Sequence, residues 1–470
     1  MTAHPPAETA AAFVPDGDLG QYLLSALDDP AELTGRLCAI ESVSGNEGAI
    51  AEAVVTVLEA ISAGDGPDLE ILRDGDTIVA RTGLGRPERI VIAGHLDTVP
   101  VEGNLPPRRL TGDVGQTPES GAGSGTDSSA PEDEAPAGGA PTEDARESGA
   151  SERDQAAGEE IIWGRGACDM KAGVAMQLAA ASALRNPSRD VSWVFYDHEE
   201  VDASLNGLGR VARTHPDWLA ADFAILAEPT AGNVEGGCNG TLRVEVTTTG
   251  RTAHSARAWR GHNAVHDLAP VLAALAAHES ETVTVDGLDY REGLNAVGIS
   301  GGIATNMIPD RATVTVNFRF APSRTPEQAE QYVRDVLAGI DHLTITVVDS
   351  AAGARPGLDH PVARAFVDAA AATGAGVGPK YGWTDVARFS ALGVPAVNFG
   401  PGDPNLAHAD DEHCPTAQIA SVATALGEWL RGVGPASPDG AAGAEGVDGA
   451  AAAETDLPVN ETATTEEPRA

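Results

Sequence analysis

Lysine is almost missing from this chain. Only Lys171 and Lys380 occur among 470 residues, acidic residues outnumber basic ones 70 to 30, and the formal net charge is −40. Such a surface repels polyanions, which argues against nucleic acid and anionic membrane as partners. Aromatic residues make up 4%, so alanine and valine must fill much of any core. The four cysteines, Cys38, Cys168, Cys238 and Cys414, form no C-x-x-C pair. That excludes a disulfide framework and points to a reducing, cytoplasmic compartment. No apolar run reaches the ~18 residues of a membrane-spanning helix. The opening Met1–Gly20 also lacks the basic and apolar regions of a secretory leader.

What is present is enough chain for two or three domains, at ~100–200 residues each. Residues 1–17, rich in Ala and Pro, read as a frayed leader. Residues 106–158 hold Gly, Ser, Ala, Pro and acids with almost no large apolar side chain, so they read as a disordered acidic insertion. Motifs flank that segment on both sides, which makes it a loop within one domain rather than a boundary. The tail, residues 434–470, has the same character. Between these lie strand-like apolar runs alternating with helical patterns, the signature of an α/β sheet flanked by helices. Ser44-Gly45-Asn46-Glu47 has the spacing of a capping box and predicts a helix start. From Thr241 to Asp349 the predicted order is β-α-β-β-α-β, a ferredoxin-like arrangement inserted into the first domain. The expected division is therefore 18–240 and 350–433 for the first domain and 241–349 for the second.

The chemistry-bearing residues fall after apolar runs. Ile90 to Ala93 leads through Gly94 to His95 and Asp97, which leave the same face of an extended backbone. An imidazole that ligates a metal commonly gives its other N–H to a carboxylate, and Asp97 can supply one. The plainer reading is a buried histidine satisfied by an acid. Asp169 stands at a loop-to-helix junction, where a helix cap is the plainer reading. Glu200 follows the run Val191 to Tyr196, Glu228 follows Phe223 to Ala227, and His408 follows Ala396 to Phe399. In a mostly parallel sheet, sites collect beyond the carboxyl ends of the strands. Two histidines and three carboxylates form a mixed N/O set suited to Zn²⁺ or a similar divalent ion. Five ligands exceed the need of one catalytic ion and suit two that share a carboxylate.

These stretches resemble the co-catalytic zinc peptidase and deacylase family, which includes desuccinylases, acetylornithine deacetylases, aminoacylases and glutamate carboxypeptidases. The matching words are Gly94-His95-Leu96-Asp97-Thr98-Val99-Pro100, Trp163-Gly164-Arg165-Gly166, Asp169-Met170-Lys171 and His198-Glu199-Glu200. Glu228-Pro229-Thr230, His254-Ser255-Ala256 and His408-Ala409 extend the match over roughly residues 18 to 432. The resemblance implies a zinc-peptidase-like mixed sheet with an inserted lid and dimerisation domain. It implies two Zn²⁺ ions, with Co²⁺ possible in the second site. One would sit on His95 and Glu228, the other on Glu200 and His408, with Asp169 bridging. It implies Asp97 as the partner of His95, Glu199 as general base, and a cis peptide at Asp169–Met170. His254 would reach an oxyanion across a homodimer interface, although by itself it reads as a surface histidine in a turn.

The implied activity is hydrolysis of an acylated amino acid, a small molecule with several carboxylates. Arg257, Arg260, Asn306 and Thr384 are candidates to bind it, and Arg291 and Arg319 are further cations. Three departures bear on the substrate: the 106–158 insertion, Asn239 where several relatives carry arginine, and Gly382-Trp383-Thr384-Asp385 in place of Gly-Thr-Ser-Asp. A silent metal-binding relative is the alternative from outside enzymes. The intact Glu199 argues against it, because a binder needs ligands but no base.

Overall fold

The computed structural model describes residues 12–64, 66–111 and 159–432, all within one compact unit. Its centre is an eight-stranded mixed sheet. The middle strands Asp190–Tyr196, Arg89–His95, Phe223–Leu226 and Ala396–Asn398 run parallel to their neighbours in that order. The hairpin Leu69–Asp74 and Thr77–Thr82 adds antiparallel strands at one edge. Val234–Gly236 and Val377–Pro379 close the other. Alternation along a strand divides the side chains between two faces. Ile90 and Ile92 pack under the helices Pro30–Ala39, Gly48–Ala63, Lys171–Ala183 and Thr416–Arg431. Val91 and Ala93 face Leu208, Val211 and Phe389 on the opposite side. Both faces being covered explains the nearly unbroken apolar run before His95.

A second, antiparallel sheet takes the order Gly293–Gly301, Arg311–Phe320, Gly240–Thr249, Leu343–Ala351. Helices Ala264–Asp267, Ala269–Ala276 and Pro326–Val336 cover one face, over Val244, Val246, Val314, Val316 and Phe318. This is the β-α-β-β-α-β order, with the predicted first helix divided at Leu268, just before Pro270, which has no N–H to extend it. The sheet's other face carries Arg243 and Arg319 toward the 199–206 loop, where both line a shared cavity.

Three expectations need correction. The ordered chain does not stop at residue 106: Arg108–Thr111 pairs antiparallel with Glu160–Trp163, which pairs in turn with His413–Pro415. Arg109, which reaches Glu160 at 2.8 Å, anchors this hairpin without the apolar side chains that would have announced it. Residues 112–158 and the tail from 433 lie outside the described residues, as does most of the leader. Within the leader, Phe13 is tied to Pro107 O at 3.0 Å and packs beside Ile162 and Ile419. Ser44 and Glu47 do not form a capping box, because Gly48–Ala63 begins after Glu47 with no side-chain cap. No helix among the described residues is long and apolar enough to cross a membrane.

Asp190, at the start of a central strand, is 4% exposed and binds a turn at three points. It accepts from Thr82 Oγ1, Leu84 N and Arg86 N, each at 2.8 Å. Burial raises its pKa, but the hydrogen bonds, led by Leu84 N, outweigh it and leave the carboxyl below its ordinary value. Asp190→Ala strands these donors and should cost about 2–4 kcal/mol in urea unfolding at pH 7. Because the folded pKa is depressed, this stabilisation is full above the unfolded carboxylate pKa and is lost as pH falls through the folded one. The gap between wild type and variant should therefore narrow below about pH 4.

Candidate metal centre and catalytic cleft

Five strand ends and the loops after them converge on Asp169. His95 closes its strand and gives Nδ1–H to the carbonyl of Asp97 at 3.0 Å, which turns Nε2 toward Asp169 Oδ1 at 3.1 Å. His408 Nε2 lies 3.0 Å from Glu200 Oε1 and 3.5 Å from the other Asp169 oxygen. The Asp169 carboxylate thus faces one imidazole with each oxygen. It is no helix cap, since Lys171–Ala183 has none, and Asp169–Met170 is a cis peptide. His95, Asp169 and Glu228 form one set whose ligand atoms lie within 4.8 Å of each other, and Asp169, Glu200 and His408 form another. Gly173 lets the helix after Asp169 press against the Glu228 strand end, because a methyl group there would overlap the Ala227 carbonyl.

The electrostatics match a cation site. Four acids, Asp169, Glu199, Glu200 and Glu228, crowd two imidazoles in one cleft. Burial, with Asp169 beside it, pushes the Glu228 carboxyl up to about 8. Burial does the same to Glu199, well above the carboxylate range. Asp169 and Glu200 hold the His408 imidazole at about 10. Burial would lower the His95 pKa, yet the carboxylates of Asp169 and Asp97 beside the ring outweigh it and raise it well above normal. Protons taken up by both imidazoles and by surplus acids mark a place that divalent cations fit. The oxygen and imidazole donors suit zinc-like ions.

Around these residues lies a framework of hydrogen bonds. The Asp97 carboxylate stands 3.5 Å from His95 Nδ1, whose closer partner is the backbone. Its oxygens accept instead from Glu199 N and Glu200 N at 3.0 Å each and from Ser44 Oγ at 2.6 Å. Glu47, the other half of the expected capping box, accepts from Gly45 N and His198 N. Glu412 went unnoticed in the sequence. It is buried, accepts from Cys168 N and Asp169 N at 3.0 Å each, and pairs with buried Arg165 at 2.9 Å. Arg165 also donates to Pro100 O and Ala409 O. Its place in the Trp163-Gly164-Arg165-Gly166 word was the available signal, but nothing in the sequence named its partner.

The substrate candidates separate. Thr384 lines the ≈ 430 Å³ cavity beside Asp169, Glu199, Glu200, Glu228 and His408. His254, Arg257, Arg260 and Asn306 are exposed on the second sheet's flank and line neither cavity that borders Glu199. His254 Nδ1 accepts from Ala256 N at 3.1 Å, which leaves the proton of a neutral ring on Nε2. Arg319 and Arg243 line a second cavity of ≈ 610 Å³ that shares Glu199 and Glu200 with the first.

The profile of peptidase family M20/M25/M40 matches residues 141–431. The chain belongs to that family. It is 40% identical over 412 residues to succinyl-diaminopimelate desuccinylase of Corynebacterium glutamicum, covering 87% of this chain and 97% of that protein. It is 47% identical over 410 residues to a Mycobacterium tuberculosis protein named as a candidate succinyl-diaminopimelate desuccinylase DapE, covering 87% of this chain and all of that one. Among solved structures it resembles a Staphylococcus aureus tripeptidase, with TM-score 0.61, 18% identity and coverage of 88% and 98%. A dinuclear metal-binding M20 peptidase of Bacillus subtilis matches with TM-score 0.56 at 15% identity, covering 89% and 99%. At such identities these two structures speak for the fold alone.

The resemblance implies different work for neighbouring acids Glu199 and Glu200, base and ligand, and both have a carboxylate oxygen within 4.8 Å of a His95 nitrogen. Glu199→Gln should abolish turnover and keep two equivalents of metal in elemental analysis. Glu200→Gln should lose one equivalent. The opposite pattern reverses the assignment.

Proposed function

We propose that this chain hydrolyses N-succinyl-LL-2,6-diaminopimelate to succinate and LL-diaminopimelate, in the supply of lysine and cell-wall precursor. The observation that carries the reading is near-full-length likeness to relatives of that name, together with the convergence of the motif residues on Asp169. His95 and Glu228 would hold one divalent ion and Glu200 and His408 the other, with Asp169 shared. Zinc suits both positions, and cobalt the second. When bound, such ions supply Lewis-acid polarisation of the scissile carbonyl and lower the pKa of the attacking water.

The chain's own residues do the rest. Glu199 takes a proton from the water as its oxygen attacks the amide carbon, and returns it to nitrogen as the C–N bond breaks. Asp97 fixes the backbone of Glu199 and Glu200 from below, so base and ligand keep their separation. Thr384 meets the substrate in the first cavity, and Arg319 offers positive charge in the second. Arg257, Arg260 and Asn306 reach substrate only if a partner subunit brings them, as does His254. The residue 241–349 unit is the natural dimerisation domain and lid. Its edge strand Gly293–Gly301 exposes Val297 and Ile299 at 61% each, and Trp259 nearby in sequence to His254 is 78% exposed. A second copy of the chain would cover that edge and deliver His254 Nε2–H to the oxyanion. All four cysteines are free and buried, which suits a cytoplasmic setting.

Purified, metal-loaded protein assayed against N-succinyl-LL-diaminopimelate, acetylornithine and a folyl-glutamate tests the substrate. Turnover of the first alone is expected. Preference for either of the others replaces the reading with a deacetylase or a carboxypeptidase. His254 has its own test. His254→Ala should lower kcat by ~10²–10³ with little change in KM, since its contact forms mainly in the transition state. Mixing it with Glu199→Gln should restore activity, because a mixed dimer contains one site with both residues intact. Mixed dimers that form and stay inactive rule out the action across subunits.

A further inference from the structure

Lys380 is one of only two lysines in the sequence and, among the described residues, is the single Lys or Arg lining the cavity that holds Asp169, Glu228 and Thr384. Its side chain is 10% exposed. Its Nζ donates to Pro229 O at 2.8 Å and stands 2.8 Å from Glu235 Oε2. An ammonium has three donors, so these partners leave one for a ligand. Backbone pairing fixes the arrangement: Val377–Pro379 and Val234–Gly236 are parallel neighbours, and Lys380 O accepts from Asn239 N at 3.1 Å. The Lys380 ammonium is thus held at the wall of the cavity that Glu228 also lines, one residue beyond the strand Val377–Pro379.

We propose that Lys380, positioned by Glu235 and Pro229 O, binds the free carboxylate of the succinyl group and selects it over uncharged acyl groups. This deepens the desuccinylase reading and rests on it. Reach favours this carboxylate over the distal one of the substrate. The α-carboxylate beside the scissile nitrogen is equally near and is told apart by the succinyl and butyryl comparison below. The succinyl carboxylate lies two methylenes from the scissile carbonyl, roughly 4 Å from carbon to carbon in an extended chain, the span of one residue. The distal amino-acid end of the leaving group lies several bonds further off, on the nitrogen side. Charge favours it as well, since the other charged groups of this cavity are acids and His408, and a carboxylate needs a cation to enter among them. An acyl chain ending in a methyl group would bury the remaining donor without a partner, and such a loss discriminates more strongly than shape alone.

The test compares kcat/KM for N-succinyl-LL-diaminopimelate with that for the isosteric N-butyryl-LL-diaminopimelate. Wild type should prefer the succinyl compound by about a hundredfold or more. Lys380→Met and Lys380→Gln should bring the ratio within a few-fold, mainly through KM of the succinyl compound, with metal content unchanged. A merely structural role for Lys380 would lower both substrates together and leave the ratio intact, which overturns the proposal. Succinate and butyrate as competitive inhibitors give a reading on wild type alone, should neither variant fold. Succinate should bind at least tenfold more tightly, and equal inhibition overturns the proposal. Wild type inert on both amides but active on acetylornithine or a folyl-glutamate condemns the desuccinylase reading itself. Active wild type with a ratio that ignores Lys380 condemns only this inference.

Discussion

Glu412 lies beneath Asp169 with its two oxygens turned in opposite directions. One takes the backbone N–H groups of Cys168 and Asp169, and the other takes Arg165, whose remaining donors hold Pro100 O and Ala409 O. The loops carrying His95, Asp169 and His408 are therefore tied to one buried ion pair. Breaking such a pair by removing one partner leaves an unpaired buried charge, at a cost of about 3–5 kcal/mol. Here the loss would also unpin the carboxylate that faces both imidazoles. Asp97 plays a matching part on the other side, holding the two peptide N–H groups of Glu199 and Glu200. Two acids outside the clustered residues, Glu412 and Asp97, thus fix the backbone of three acids within them, Asp169, Glu199 and Glu200.

The central sheet and most of the cleft were legible in the sequence for a single reason. Strands covered on both faces read as apolar runs, and a polar residue just after such a run stands where sites form. His95, Glu200, Glu228 and His408 stand at such ends or in the loops after them, and the structure brings them together around Asp169. Asp169 was found with a plainer alternative, a helix cap, which the geometry does not support. Ser44 and Glu47 show the reverse failure. Their spacing fits a capping box, yet both side chains turn toward Asp97 and the His198 backbone, because local spacing cannot announce a partner fifty or more residues away. Arg165 and Glu412 were hidden by the same limit, being far apart in sequence and ordinary in composition.

The second sheet was legible in its order and less so in its purpose. Its apolar face reads directly from Leu242, Val244 and Val246, whereas the opposite face mixes arginine, threonine and glutamate. Such a face gives no sign of what it looks upon until the 199–206 loop is set against it. Arg257, Arg260 and Asn306 have the charge and hydrogen-bonding capacity to meet a carboxylate, and those properties place no residue in space. The hairpin arm Arg108–Thr111 escaped notice because ion pairs, rather than apolar side chains, fasten it.

That arm has a wider meaning. Thr111 and Glu160 are direct cross-strand partners, so the two ends of the intervening sequence are held side by side. Closing a flexible loop costs only about 0.6 kcal/mol more for each doubling of its length. For any flexible connection a stem of this kind makes length a weak constraint, provided the stem still pairs. The stem works as a port: Glu160–Trp163 also pairs with His413–Pro415, so a change in what the stem joins need not disturb the strand that follows His408.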